Sequence, residues 1–135
     1  MKAISNFVSR WGAAIIVMLV IFVLSSRLQA ELPQFGWADA VVKKGGHVFG
    51  YGLLALSYWH ALRWRPERIA LAWGLAMLYG TTDELHQAFV PGRHPSALDV
   101  LLFDNTGAVI ALWAKRRLWA GASRPARLRP GPPGR

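Results

Sequence analysis

Three stretches of this sequence gather side chains that can do chemistry. His47 and Tyr51 stand four residues apart, just after Lys43 and Lys44. That spacing puts imidazole and phenol on one face of a helix. Asp83, Glu84, His86 and Gln87 fall within five residues and lead into Pro91-Gly92-Arg93. Asp99, Asp104 and Asn105 follow after Pro95. Carboxylates beside an imidazole suit general acid–base work, because burial shifts the proton affinities of both. His47, Asp83, Glu84 and Asp99 are also acceptable ligand types for a divalent cation. No His-Glu-x-x-His signature accompanies them, so neither metal nor other cofactor is expected. Arg93 with Lys43 or Lys44 is suited to gripping a phosphate or carboxylate through charge-assisted hydrogen bonds. Thr81, Thr82 and Ser96 lack a recognisable nucleophile elbow, and the absence of cysteine excludes disulfides, thiolate sites and Cys nucleophiles. Gly45, Gly46, Gly50 and Gly52 read as a small-residue packing face. No strand precedes a Gly-rich turn, so they are not a phosphate loop. His60 reads as a lone structural histidine.

The elements that must carry these groups are apolar. Of 135 residues 53% are hydrophobic, and seven are Trp, a residue suited to membrane interfaces. Four apolar runs, Trp11–Leu24, Gly46–Trp64, Ile69–Val90 and Ala97–Ala114, each approach bilayer length. Pro66, Pro91 and Pro95 punctuate them. The first run has no polar stripe, which argues for lipid around it. No small-x-small cleavage site follows Ser25-Ser26-Arg27, so an uncleaved helix is expected. The expectation is an all-α, polytopic membrane protein: a four-transmembrane-helix bundle over residues 1–114, with helices at about 7–26, 46–64, 69–88 and 97–114. Residues 115–135 are expected to form a disordered basic tail.

Formal net charge is +9, and Lys115 to Arg135 alone holds seven basic residues and no acid. That excess fits a topology signal better than a nucleic-acid arm, and no nucleic-acid partner is expected. With the N-terminus cytoplasmic, Lys2, Arg10, Arg63, Arg65, Arg68 and the tail lie inside, against Arg27, Lys43, Lys44 and Arg93 outside. The positive-inside rule therefore predicts N-in and C-in with four spans. On that topology the chemistry-bearing groups converge at the outer end. The plainer reading is a polar network locking the helices in register. The number of titratable groups on one side exceeds what gluing needs, which favours a pocket.

These residues resemble the VanZ-like family of bacterial membrane proteins. Lys44-Gly-Gly-His47-Val-Phe-Gly-Tyr51 is similar to its Lys-x-x-His-x-x-x-Tyr element. Asp83-Glu84-Leu-His-Gln87-Ala-Phe-Val-Pro91-Gly92-Arg93 is similar to its Asp-Glu-x-x-Gln-x-Phe-x-Pro-Gly-Arg block, the more specific match. Ser96-Ala-Leu-Asp99 and Asp104-Asn-Thr-Gly107 resemble its Ser-x-x-Asp and polar-x-x-Gly elements. The likeness spans about residues 20–114. One departure matters: the family usually has three residues between the fourth-helix Asp and the next polar residue, whereas four separate Asp99 from Asp104. Either Asp104 or Asn105 can therefore face inward. The resemblance implies a small multi-helix protein of the cell envelope, with no settled biochemical activity. The namesake is associated with resistance to the glycopeptide teicoplanin, a link the family likeness raises but does not transfer.

The resulting expectation is a multi-pass protein of the bacterial inner membrane. Its outward pocket, built from Lys44, His47, Tyr51, Asp83, Glu84, Gln87, Arg93, Asp99 and Asp104 or Asn105, binds an anionic envelope or lipid-linked ligand. Membrane lipids and a lipid-linked or peptidoglycan-related molecule are the expected partners. The rivals are a membrane hydrolase or transferase acting on a lipid-linked substrate, and an accessory subunit whose polar network serves packing alone.

Overall fold

In a long apolar segment without an internal proline, a helix satisfies each backbone group within the segment itself. The computed structural model describes residues 2–27, 38–92 and 96–122. Four α-helices run through them: α1 Lys2–Ser25, α2 Asp39–Ala61, α3 Ile69–Gln87 and α4 Asn105–Ala122. No strand occurs among the described residues. A 3-10 turn, Pro66–Arg68, leads into α3, and a π-helical segment, Asp99–Asp104, leads into α4.

The helix ends have identifiable causes. Ser25 and Ser26 both donate their hydroxyls to the Phe22 carbonyl, which also accepts the Ser26 N–H, so side chains and backbone close the last turn of α1 together. The end of α2 is a Schellman turn: Arg63 N–H bonds to His60 O and Trp64 N–H to Trp59 O, each at 2.9 Å. Arg63 takes the left-handed position usually given to glycine, with φ 64°, and Trp64 follows at φ 54°. Trp59 Nε1 then donates to Arg65 O at 2.9 Å, folding the turn back on the helix. Arg10 of α1 caps the same end by donating to Ala61 O at 2.8 Å.

That contact joins the start of α1 to the end of α2. At the opposite end Ser26 Oγ meets His86 Nε2 at 3.0 Å, and the Phe22 and His86 rings lie 4.7 Å apart. The helices therefore run up, down, up and down. Helix α2 is central and packs against the other three. Its Tyr51, Leu54, Ala55, Tyr58, Trp59 and Leu62 form the core with Ala14, Ala72, Ala76, Ala108 and Leu112. Glycine sets the closest approach. A Cβ at Gly107 would overlap the Val48 carbonyl, and one at Gly52 would stand 3.0 Å from Gly107 O. The small-residue expectation holds for Gly52, whereas a Cβ at Gly45 or Gly46 would meet nothing within 4 Å among the described residues.

Three expected boundaries move. Helix α1 begins at Lys2 rather than near residue 7. Helix α2 begins at Asp39 rather than near residue 46, because Lys43-Lys44-Gly45-Gly46 interrupt the apolar run without ending the helix. Helix α4 continues to Ala122, past the start expected for a disordered tail, since Leu118-Trp119-Ala120 propagate it. Residues 123–135 lie outside the described residues. Among the described residues one helix, over Ile4–Ser25, is long and apolar enough to cross a membrane by length and composition.

Candidate functional site

Lys43, His47 and Tyr51 follow one another at intervals of four along α2 and so share a face. The His47 and Tyr51 rings stack with centroids 6.1 Å apart and planes 6° from parallel. His47 Nδ1 lies 2.9 Å from Oδ1 of Asp104, a fully buried carboxylate. With Asp104 ionised, Nδ1 carries the proton and donates it, which leaves Nε2 as the imidazole's other hydrogen-bonding atom. The Tyr51 hydroxyl donates to Asp83 Oδ2 at 3.3 Å, and Gln87 Nε2 donates to the same oxygen at 2.9 Å. Asp83 and Gln87, four apart on α3, are both buried. Glu84, also buried, accepts the backbone N–H of Ser96 at 2.6 Å and so ties α3 to the chain entering the π segment.

Gly80 makes this cluster compact. A Cβ there would stand 3.1 Å from Asp104 Oδ2 and 3.2 Å from the Tyr51 ring. Two carboxylate oxygens, Asp83 Oδ1 and Asp104 Oδ2, are buried and receive no hydrogen bond among the described residues. Beside the cluster lies a cavity of about 230 Å³. Its walls are Ile21, Leu24 and Ser25 of α1, then Val42, Lys43, Gly46, His47, Gly50 and Tyr51 of α2, then Asp83 and Gln87 of α3.

Of the residues expected at the site, His47, Tyr51, Asp83 and Gln87 line this cavity. Asp104 stands behind His47, and Glu84 braces the adjacent turn. The spacing ambiguity resolves in favour of Asp104: Asn105 instead accepts a hydrogen bond from Trp73 Nε1 at 2.8 Å on the exposed side of the bundle. Asp99 is half-buried at the start of the π segment, with its amide bonded to Ser96 O. Lys44 is a correction. It is exposed, and its Nζ sits 4.4 Å from the Phe103 ring centroid, away from the cavity wall. Lys43 takes the wall position, and its four-residue interval to His47 was the signal for it. Arg93 lies outside the described residues. The residues weighed as cation ligands do not assemble: among the described residues no three His, Cys, Asp or Glu form a group that could hold a metal ion.

Fold and site together define a class: a small antiparallel helical bundle, one helix fit to cross a membrane, with a buried carboxylate–imidazole cluster at one end. A model of the VanZ/LLP1 family matches residues 2–119, and the chain belongs to that family. No curated protein and no solved structure matches it.

Proposed function

We propose that this chain is a four-span inner-membrane protein of the cell envelope, with both termini cytoplasmic, whose cavity binds an anionic lipid-linked ligand on the outer side. The observation that carries the reading is the cavity itself. Apolar walls from Ile21, Leu24 and Val42 meet Lys43, His47 and Asp83 in one space, the composition an amphiphile needs. Four spans are supported by the surface. Ile16, Leu19 and Val20 on α1, Leu71, Leu78 and Leu85 on α3, and Leu101, Val109 and Ile110 on the last segment are all exposed. Apolar area spread over three helices exceeds what a water-facing bundle leaves uncovered. An acid at mid-membrane costs roughly 2.5–3.5 kcal/mol to insert, and the pairs of Asp104 with His47 and of Asp83 with Tyr51 and Gln87 offset that cost.

Retention of envelope lipids by the purified full chain tests the reading. Saturable retention that weakens when Lys43→Met is introduced supports it. An unaltered lipid profile in that variant counts against it. The link to teicoplanin tolerance is part of the same proposal, and altered glycopeptide sensitivity of a deletion strain is its check.

One observation favours a second reading, a hydrolase or transferase on a lipid-linked substrate. An imidazole whose Nδ1 is held by a buried carboxylate presents Nε2 as a general base. Turnover of lipid-linked substrate that His47→Ala abolishes would favour the enzyme, and binding without turnover the binding module. A packing-only accessory subunit predicts that every cavity substitution lowers stability and function in proportion.

A further inference from the structure

The end of the bundle away from the cavity carries a charge imbalance. The start of α1, the end of α2, the entry to α3 and the end of α4 meet there. Arg63, Arg65 and Arg68 surround the turn between α2 and α3, and Lys115-Arg116-Arg117 stand on α4. Glu67 is the acid at this end among the described residues, and Arg65 pairs with it at 3.4 Å. Arg63, Arg68 and the α4 run have no acid partner among the described residues. Arg63 and all three cations of the run are exposed. Two of the cations rest on indoles instead. Lys115 Nζ lies 4.9 Å from the Trp64 ring centroid, and the Arg117 guanidinium carbon 5.3 Å from that of Trp113. An aromatic face orients a cation without neutralising it. Trp59 joins this group, with ring centroids 5.3 Å from Trp64 and 6.3 Å from Trp119. Trp113, Leu118 and Trp119 are exposed beside the charges. Arg63 and Trp64 both hold left-handed backbone, which residues other than glycine rarely adopt. The turn thus presents a guanidinium and an indole where a glycine turn would present neither.

A soluble polyanion needs the charge alone. Exposed indoles and a leucine beside that charge suit a bilayer interface, where headgroup phosphate meets apolar chain. We infer, on the four-span reading but independently of the cavity, that this end binds anionic phospholipid. Arg63 and the Lys115–Arg117 run hold the phosphate of a headgroup with net negative charge, and the exposed indoles lie against its chains.

The test reconstitutes the full-length protein into phosphatidylcholine nanodiscs, whose two leaflets have the same composition, so orientation does not enter. A small fraction of the lipid carries bromine on its acyl chains and quenches nearby Trp fluorescence. Trp59, Trp64, Trp113 and Trp119 report from this end. Brominated phosphatidylglycerol is expected to outbind equally brominated phosphatidylcholine on the order of tenfold at low salt, since each cation near a phosphate is worth about fivefold. The ratio should fall to about twofold or less in 1 M salt, where the Debye length is about 3 Å. Neutralising the run as Lys115→Gln, Arg116→Gln and Arg117→Gln should lower the ratio at least about threefold, as those exposed side chains carry the charge. Arg63→Gly should lower it as well while making the protein more stable, a split that a purely structural turn would not show. Equal quenching by the two lipids, a ratio indifferent to salt, or a ratio that neither variant lowers overturns the inference. A ratio abolished by short RNA in the buffer assigns the surface to a soluble polyanion and overturns it too. Failure of the chain to enter the discs overturns the four-span reading and this inference with it, whereas entry with equal quenching overturns this inference alone.

Discussion

The His47–Asp104 pair gives an asymmetric stability prediction. The Asp104 side chain is 1% exposed and that of His47 26%, with 2.9 Å between Nδ1 and Oδ1. His47→Phe keeps a ring to stack on Tyr51 but strips Asp104 of its hydrogen bond, and Asp104 Oδ2 already lacks a donor among the described residues. A buried charge stripped of its partner costs about 3–5 kcal/mol. Asp104→Leu leaves an imidazole that still borders the cavity and can be hydrated there, so its cost is about 1–2 kcal/mol. The double substitution replaces both groups with apolar ones of similar bulk and should return to within about 1 kcal/mol of the parent. Unfolding by sodium dodecyl sulfate in mixed micelles, followed by Trp fluorescence, measures all four corners of the cycle. Equal losses from the two single substitutions, adding in the double, would refute the argument that burial of Asp104 makes it depend on His47.

Four further outcomes follow from packing and charge. Gly107→Ala should cost about 3 kcal/mol or more in the same unfolding assay, because its Cβ meets the rigid Val48 carbonyl; Gly74→Ala, with nothing within 4 Å, should gain about 0.5–1 kcal/mol. Arg63→Gly should stabilise by about 0.5–1 kcal/mol, since Arg63 occupies the left-handed position of the Schellman turn at φ 64°. Lys44→Ala should leave lipid retention within about twofold of the parent, because its ammonium sits over Phe103, and an exposed cation–π contact contributes only about 0.5–1 kcal/mol.

The parts of this structure that depend on regular helical phase could be read directly from the residues. Intervals of four placed His47 with Tyr51 and Asp83 with Gln87, and the alternation of runs and turns placed all four at one end. What escaped the reading depends on events outside regular phase. Lys43 and Lys44 differ by one position, about 100° of helix, and only the cavity wall separates them. The first turns of α2 are helical with too little apolar content to register as a run. At the far end of the chain, Lys115-Arg116-Arg117 drew attention to charge, although Leu118, Trp119 and Ala120 carry the helix onward. Membrane character shows the same split. Helix α1 declares itself by composition, whereas α2 and α3 carry the cluster's polar groups and α4 holds Lys115-Arg116-Arg117 within its second half.

The π segment explains how the cluster could be built at all. In an α-helix, residues five apart lie about 140° from each other, so Asp99 and Asp104 would address different surroundings. Over Asp99–Asp104 the wider i→i+5 turn absorbs the additional residue. Asp104 then faces α2, and Asn105 turns out to Trp73. The wider turn is held from both sides: Glu84 grips the Ser96 amide before it, and Gly107 closes on Val48 after it. Gly80 clears the space that Asp104 enters. A network made only to lock helices would gain most by satisfying every member, since a half-satisfied one is worse than an apolar core. Here the framework delivers a carboxylate to His47 yet leaves Asp83 Oδ1 without a donor among the described residues. That residual buried acceptor is what a role in packing alone leaves unexplained.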